Sequence, residues 1–121
     1  MRIADLQFDF RDGVVIARLK GELDMSNAAD LRAAIAEATP NDAMGVVLDL
    51  SEVTYVDSAG IHLLYRLGEN LRDRGQTLRV VIPADSAAND TLRLAGIKRH
   101  VDVVEELEAA VRAVETAGTS Q

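Results

Sequence analysis

The hydrophobic positions of the chain follow two spacings, one typical of strands and one typical of helices. Alternating or continuous apolar positions predict five strands: Met1–Phe10, Val14–Leu19, Val46–Leu50, Thr77–Ile82 and Val101–Val104. Apolar positions at helical spacing predict four helices: the face marked by Ala28, Leu31, Ile35 and Ala38, then Ser58–Arg74, Ser86–Ala95 and Glu105–Glu115. The predicted order is therefore ββαβαβαβα.

Local signals place the ends of these elements. Gly21-Glu22-Leu23-Asp24 is predicted as a loop, and Ser26 is a favourable N-cap for the first helix. Gly75 suits the C-terminal cap of the second helix. The small and polar residues 116–121 are predicted to form a frayed, disordered tail.

Alternation of strands and helices after an opening hairpin calls for mostly parallel pairing. The sequence thus predicts a single α/β domain with a four- to five-stranded mixed sheet and about four helices packed on it. Functional groups of such sheets gather beyond the carboxyl ends of the strands. Loops Gly21–Ser26 and Glu52–Ser58 both follow predicted strands, so we expect them to be neighbours.

Composition narrows the classes of partner. The chain has 121 residues, a formal charge of −7 and no cysteine. Negative charge disfavours nucleic acid and anionic membranes, and it favours a protein partner with a basic patch. The absence of cysteine excludes disulfides and thiolate metal sites and is compatible with the cytoplasm. No apolar run of the length of a signal peptide core or a membrane span is present, so a cytoplasmic protein is expected.

Ser58 is the residue whose chemistry has to be explained, because it stands where a buried strand passes into a helix. Asp57 and Ser58 are both good helix caps, and capping is the simplest interpretation. A serine hydrolase would need glycine two residues earlier, where Val56 stands. His62 lies one helical turn away, and no third residue is evident to orient it, so a hydrolase is disfavoured. Gly60 is costly inside a first turn, which indicates a close approach to a partner or to the neighbouring strand.

A third interpretation makes Ser58 a substrate of another enzyme. The helix that follows carries one polar stripe: His62, Tyr65, Arg66, Glu69 and Arg72. Such a stripe is either a solvated face or a docking face with Tyr and Arg anchors. Phosphorylation of Ser58 would add about −1.5 to −2 charges. The helix N-terminus would accommodate that charge, so the surface would change while the fold survived.

The combination of Gly21-Glu22-Leu23-Asp24 with Asp49-Leu50-Ser51 and Val56-Asp57-Ser58-Ala59-Gly60 resembles a known family. It is similar to the STAS domain in its stand-alone form, the bacterial anti-sigma factor antagonist. The resemblance runs from the first strand to the last helix, over residues 1–115. It implies an STAS-like fold and a protein that regulates transcription by partner switching.

The resemblance also implies site roles. The unphosphorylated antagonist would bind an anti-sigma factor that is also a serine kinase, thereby releasing the sigma factor. The kinase would phosphorylate Ser58, breaking the complex, and a PP2C-type phosphatase would restore it. Asp24, Asp57, Gly60 and the stripe residues His62, Tyr65 and Arg66 would contact the partner. The antagonist would be no enzyme and would hold no cofactor or metal, because the kinase brings ATP and magnesium.

Two departures from the family pattern bear on these roles. Ala59 replaces a second hydroxyl, so Ser58 is left as the hydroxyl of the motif, and His62 stands where many members have glycine. STAS domains also act in stress-signalling complexes, transporters and lipid-transport systems. The alternative function is therefore a passive docking subunit of such an assembly, in which Ser58 would only cap its helix.

Overall fold

The computed structural model describes residues 5–119, which form a five-stranded mixed sheet with four α-helices. The strands are β1 (Asp5–Arg11), β2 (Val14–Leu23), β3 (Gly45–Val56), β4 (Thr77–Val81) and β5 (Asp102–Val104). The helices are α1 (Ala28–Ala38), α2 (Ser58–Asp73), α3 (Asn89–Leu94) and α4 (Leu107–Thr119), and a 3₁₀ turn (Ile97–Arg99) precedes β5. The predicted α/β class and element order are confirmed.

The strands lie in the order in which they occur in the chain. β1 is antiparallel to β2, and all other neighbouring strands are parallel. The two longest strands, β2 and β3, pair from Val14 with Gly45 to Leu23 with Val56. Their carboxyl ends therefore reach the same edge of the sheet, which brings the segments that follow them together.

Both of these strands are longer than predicted. The predicted loop from Gly21 to Leu23 belongs to β2, and residues 52–56 belong to β3. Gly21 adopts φ +111°, and the register shifts between Gly21 and Glu22. This irregularity has the character of a β-bulge, which glycine tolerates and which bends a strand without ending it. The glycine was a turn signal in the sequence, but pairing with β3 carries the strand through it.

The sheet is covered on both faces. α1, α2 and α3 pack on one face over side chains that include Val15, Ala17, Val46 and Leu48. α4 packs on the other face over Val14, Ile16, Val47 and Val81. The apolar run Val46–Leu50 predicted a buried strand, and β3 is covered on both faces because consecutive side chains of a strand point to opposite helical layers.

The boundaries of α1, α3 and α4 differ most from the predictions. Asn27, not Ser26, is the N-cap residue of α1. α3 is shorter than the predicted Ser86–Ala95 helix. α4 runs from Leu107 to Thr119, past the predicted end at Glu115, and residues 120–121 of the predicted tail lie outside the described residues. The apolar repeat of α4 ends at Val114, which is why the sequence pattern ended the helix early.

The C-terminus of α2 agrees with the prediction. Gly75 has the left-handed conformation, with φ +74°, and its N–H donates to the carbonyl of Arg72 at 2.9 Å. The N–H of Gln76 donates to the carbonyl of Leu71 at 2.8 Å. Glycine adopts this conformation without a steric cost, so it ends the helix and turns the chain into β4.

No helix within residues 5–119 has the length and apolarity needed to cross a lipid bilayer.

Candidate functional site

The predicted neighbouring loops meet at the carboxyl ends of β2 and β3. The backbone N–H of Asp57 donates to the carbonyl of Leu23 at 3.2 Å, extending the pairing of the two strands. The N–H of Met25 in turn donates to Oδ2 of Asp57 at 3.1 Å. The segment that contains Asp24 therefore lies directly beside the first turn of α2, as the topology predicted.

Asp57 holds this junction together. It is the N-cap residue of α2, and its Oδ1 accepts a hydrogen bond from the N–H of Gly60 at 3.0 Å. Its other carboxylate oxygen accepts the bond from Met25. Since one carboxylate caps the helix and fixes the adjacent loop, Asp57 positions the site, and the capping interpretation applies to Asp57 and not to Ser58.

Ser58 is the first residue of α2 and is exposed. Within residues 5–119, no group forms a hydrogen bond with its Oγ, and neither His62 nor His100 is paired with it as a base. The first intrahelical hydrogen bond of α2 is donated by Ile61 to the carbonyl of Asp57. The hydroxyl is thus open to an enzyme from outside, at a helix end that tolerates negative charge.

The loop that contains Asp24 is a tight, internally bonded turn. Oδ1 of Asp24 accepts from the N–H and the Oγ of Ser26, at 3.0 and 2.6 Å. Asn27 is buried, its Oδ1 accepts from the N–H of Asp24, and its Nδ2 donates to the carbonyl of Glu22. Asp24 stays half-exposed beside Ser58's helix, as the predicted partner contact requires, and its conformation is fixed by its own loop.

Asn27 fixes the Asp24 loop, a role that the sequence pattern did not predict. Its side chain makes no capping bond to α1 and instead turns back to the end of β2. An asparagine three residues after Asp24 was a signal for such a turn, because Asn side chains bond readily to nearby backbone. Ser26 was the predicted N-cap, but its hydroxyl donates a hydrogen bond to Oδ1 of Asp24.

Gly60 packs closely against the ends of the neighbouring strands. It is buried, and a β-carbon built on it would lie 2.7 Å from the carbonyl oxygen of Leu23 and 2.9 Å from Cγ1 of Val56. Of the two kinds of close approach considered for this glycine, the structure shows the approach to the neighbouring strands. The role of Gly60 as a partner contact stays a prediction, while its burial between helix and sheet gives glycine a structural reason at this position.

The polar stripe of α2 faces outwards. His62 and Arg66 are exposed, whereas Leu63, Leu64, Leu67 and Leu71 are buried, as the helical spacing predicted. Tyr65 is half-buried, and its ring centroid lies 4.6 Å from that of His100 and 6.5 Å from that of His62. Tyr65 thus joins α2 to the segment before β5, and only part of its ring is free to contact a partner.

Two exposed apolar side chains border the junction. Met25 is 82% exposed and Tyr55, near the end of β3, is 52% exposed. The sequence pattern singled out neither of them, because Met25 and Tyr55 lay in the predicted loops Gly21–Ser26 and Glu52–Ser58. No group of three or more His, Cys, Asp or Glu side chains suited to a metal ion occurs in the described part of the chain.

The motif Asp49-Leu50-Ser51 has a local structural role. Oδ1 of Asp49 accepts from the N–H and the Oγ of Ser51, at 3.0 and 2.7 Å. Asp49 is buried within β3, and the nearest cation is Arg18 on β2, at 3.9 Å from Oδ2. These bonds satisfy a carboxylate in the middle of the sheet, which would otherwise be costly to bury.

Comparison with known proteins agrees with this architecture. The family model described as "Mlab, STAS domain" matches residues 6–115. The chain is 30% identical to the candidate anti-sigma factor antagonist BtrV of Bordetella bronchiseptica, over 93% of this chain and 96% of that protein. It is 28% identical to the anti-sigma-F factor antagonist RsfB of Mycobacterium tuberculosis, over 85% of this chain and 83% of that one.

A solved structure shows the same arrangement. The crystal structure of an anti-sigma factor antagonist from Mycobacterium paratuberculosis superimposes with a TM-score of 0.76 at 27% identity, covering 92% of this chain and 93% of that one. Fold and sequence thus agree over nearly the whole chain. The chain belongs to the STAS domain family, among its anti-sigma factor antagonists.

Proposed function

We propose that this protein is an anti-sigma factor antagonist in the cytoplasm whose docking surface is switched off by phosphorylation of Ser58. The partner is an anti-sigma factor with serine kinase activity, and binding to it frees the sigma factor. The observation that carries the proposal is the exposed, unbonded Ser58 hydroxyl at the junction of the Asp24 loop and α2. A PP2C-type phosphatase restores the binding form.

The geometry supports a switch that leaves the fold in place. Because Asp57 caps α2, the Ser58 hydroxyl is not needed as a cap, and its modification removes no internal hydrogen bond. A phosphate would add about −1.5 to −2 charges to a surface that already holds Asp24 and Asp57. A partner that binds this acidic surface through basic groups would then meet a different size and charge.

The same features favour a substrate hydroxyl over a catalytic one. A serine nucleophile needs a base within hydrogen-bond reach, and Ser58 has none among residues 5–119. The chain supplies the acceptor oxygen, and the kinase supplies the chemistry. We therefore propose that the protein itself has no enzymatic activity.

The test is to measure binding of purified anti-sigma factor kinases of the source organism to the wild type, Ser58→Ala and Ser58→Asp. We expect a cognate kinase to bind the wild type and Ser58→Ala, to phosphorylate only the wild type, and to bind Ser58→Asp at least about tenfold more weakly, a loss of about 1.4 kcal/mol. Thr91→Asp places the same charge at an exposed hydroxyl of α3 and should bind like the wild type.

Equal binding of all these variants to the kinase would show that Ser58 does not control docking. In that case a passive docking module is the better description, and isolation of a transporter or lipid-transport partner would support it.

A further inference from the structure

We propose that Met25 is an apolar anchor inserted into a pocket of the kinase that modifies Ser58. This inference rests on the proposed function and assigns a binding role to a residue that neither the motif nor the polar stripe includes. Three properties carry it: the exposure of Met25, the rigidity of its backbone and its position next to Ser58.

Exposure alone is not sufficient, because single exposed apolar side chains are common. Met25 is 82% exposed, and Leu94 on α3 is 86% exposed. What separates the two is their surroundings. Leu94 lies in a six-residue helix, whereas Met25 lies in the turn that joins β2 to α1 at the functional junction.

The backbone around Met25 is held by hydrogen bonds on every side. Its own N–H donates to Oδ2 of Asp57, 32 residues away in the chain. The N–H groups of Asp24 and Ser26, on either side, donate to Asn27 and Asp24 side chains. The carbonyl of Asp24 accepts from the N–H groups of Asn27 and Ala28. A side chain on such a turn loses little backbone freedom on binding, which is the property of a preorganised anchor.

The position of Met25 identifies the protein that binds it. An enzyme that transfers a phosphoryl group to Oγ of Ser58 must contact the residues around it. Asp57 precedes Ser58 in the chain and is bonded to the backbone of Met25 at 3.1 Å. An enzyme surface that reaches Ser58 therefore covers the adjoining turn, where Met25 is 82% exposed.

The chemistry of the complementary surface follows from the residues of the turn. Met25 calls for an apolar pocket, since the flexible thioether chain fills irregular apolar cavities well. Asp24 and Glu22 beside it call for cationic groups at the rim of that pocket. An apolar centre with a polar rim is the usual composition of a binding hot spot.

The experiment compares Met25→Ala, Met25→Leu and Leu94→Ala with the wild type, using the cognate kinase found with Ser58→Ala and Ser58→Asp. Both the dissociation constant and the rate of Ser58 phosphorylation are measured. We expect Met25→Ala to weaken binding about fivefold or more and to slow phosphorylation at low substrate concentration. Met25→Leu should retain binding within about threefold, because it keeps the apolar volume. Leu94→Ala should bind like the wild type.

The outcomes separate this inference from the proposed function. A kinase that discriminates Ser58→Asp but binds Met25→Ala within less than about fivefold of the wild type overturns the role of Met25 and leaves the switch intact. A Leu94→Ala variant as weak as Met25→Ala also overturns it, since the loss would then not depend on position. If no kinase binds the wild type, the proposed function and the anchor fall together. Unchanged thermal unfolding of Met25→Ala excludes misfolding as the cause of weaker binding.

Discussion

Replacing Gly60 by alanine tests how the first turn of α2 is seated on the sheet. The new methyl group would be placed 2.7 Å from the carbonyl oxygen of Leu23, 2.9 Å from Cγ of Leu23 and 2.9 Å from Cγ1 of Val56. The oxygen belongs to the end of β2 and accepts the N–H of Asp57 at 3.2 Å, so it cannot move away without disturbing the junction. Gly68, in the same helix, is the matched control, because a β-carbon there would be 3.7 Å from its nearest neighbour, a methyl group of Leu78.

The two substitutions should change stability in opposite directions. Alanine in a helix interior is favoured over glycine by roughly 0.5–1 kcal/mol. At position 68 that gain should remain almost whole, since the new contact is an ordinary van der Waals distance. Forcing a methyl group into a packed interface costs about 1–3 kcal/mol. Gly60→Ala should therefore lower the free energy of unfolding by about 1–2 kcal/mol, whereas Gly68→Ala should raise it by about 0.5–1 kcal/mol.

Urea and thermal unfolding of the two variants measure this difference. For a domain of this size, 1 kcal/mol corresponds to roughly 3–6 °C in Tm. We expect Tm to fall by about 3–10 °C for Gly60→Ala and to rise by about 2–5 °C for Gly68→Ala. If Gly60→Ala were as stable as Gly68→Ala, helix and strand would not be in contact at Gly60, and a partner contact would again become the reason for glycine there.

Two further predictions concern the bonds that hold the junction. Asp57→Ala should lower the free energy of unfolding by about 0.5–2 kcal/mol and speed hydrogen exchange at the Met25 amide. Asp57→Asn keeps one side-chain acceptor for the N–H of Gly60 and should therefore lose less stability. Exchange rates are followed by NMR, and an unchanged Met25 rate in Asp57→Ala would contradict the bond. Asn27→Ala should cost about 1–3 kcal/mol in urea unfolding, because it leaves the N–H of Asp24 and the carbonyl of Glu22 without their side-chain partner. A cost below about 0.5 kcal/mol would indicate that water replaces the side chain fully.

The family signature was readable because its parts are local in sequence. The apolar run Val46–Leu50 predicted a buried strand, and the spacing of the leucines after Ser58 predicted a helix whose polar side faces outwards. The strand is confirmed by the burial of Val46 and Leu48, and the helix by the burial of Leu64 and the exposure of His62. Each of these properties depends on the periodicity of one segment, because that periodicity decides which side chains form the apolar face that the neighbouring layer covers.

The ends of elements were less predictable because they depend on pairing. Gly21 looked like the start of a loop, but β2 continues through it since β3 lies alongside to accept its hydrogen bonds. The last turn of α4 is likewise beyond the apolar repeat that marked the helix. At Gly21, a residue compatible with two conformations takes the one that pairing with β3 supports.

The sequence by itself determined the α/β order, the buried strand Val46–Leu50 and the position of Ser58 at a strand-to-helix junction, because periodicity and motif spacing act within a segment. Only the tertiary structure decided the roles within that junction. Asp57 was expected to meet a partner, yet its two oxygens bind Met25 and Gly60. Gly60 was a candidate contact, yet it makes room for Leu23 and Val56. The capping bond from Gly60 to Asp57 spans three residues and was open to prediction. The bond from Met25 to Asp57 and the approach of Gly60 to Leu23 join residues more than thirty positions apart, which meet only when β2 and β3 pair, so no local pattern could reveal them.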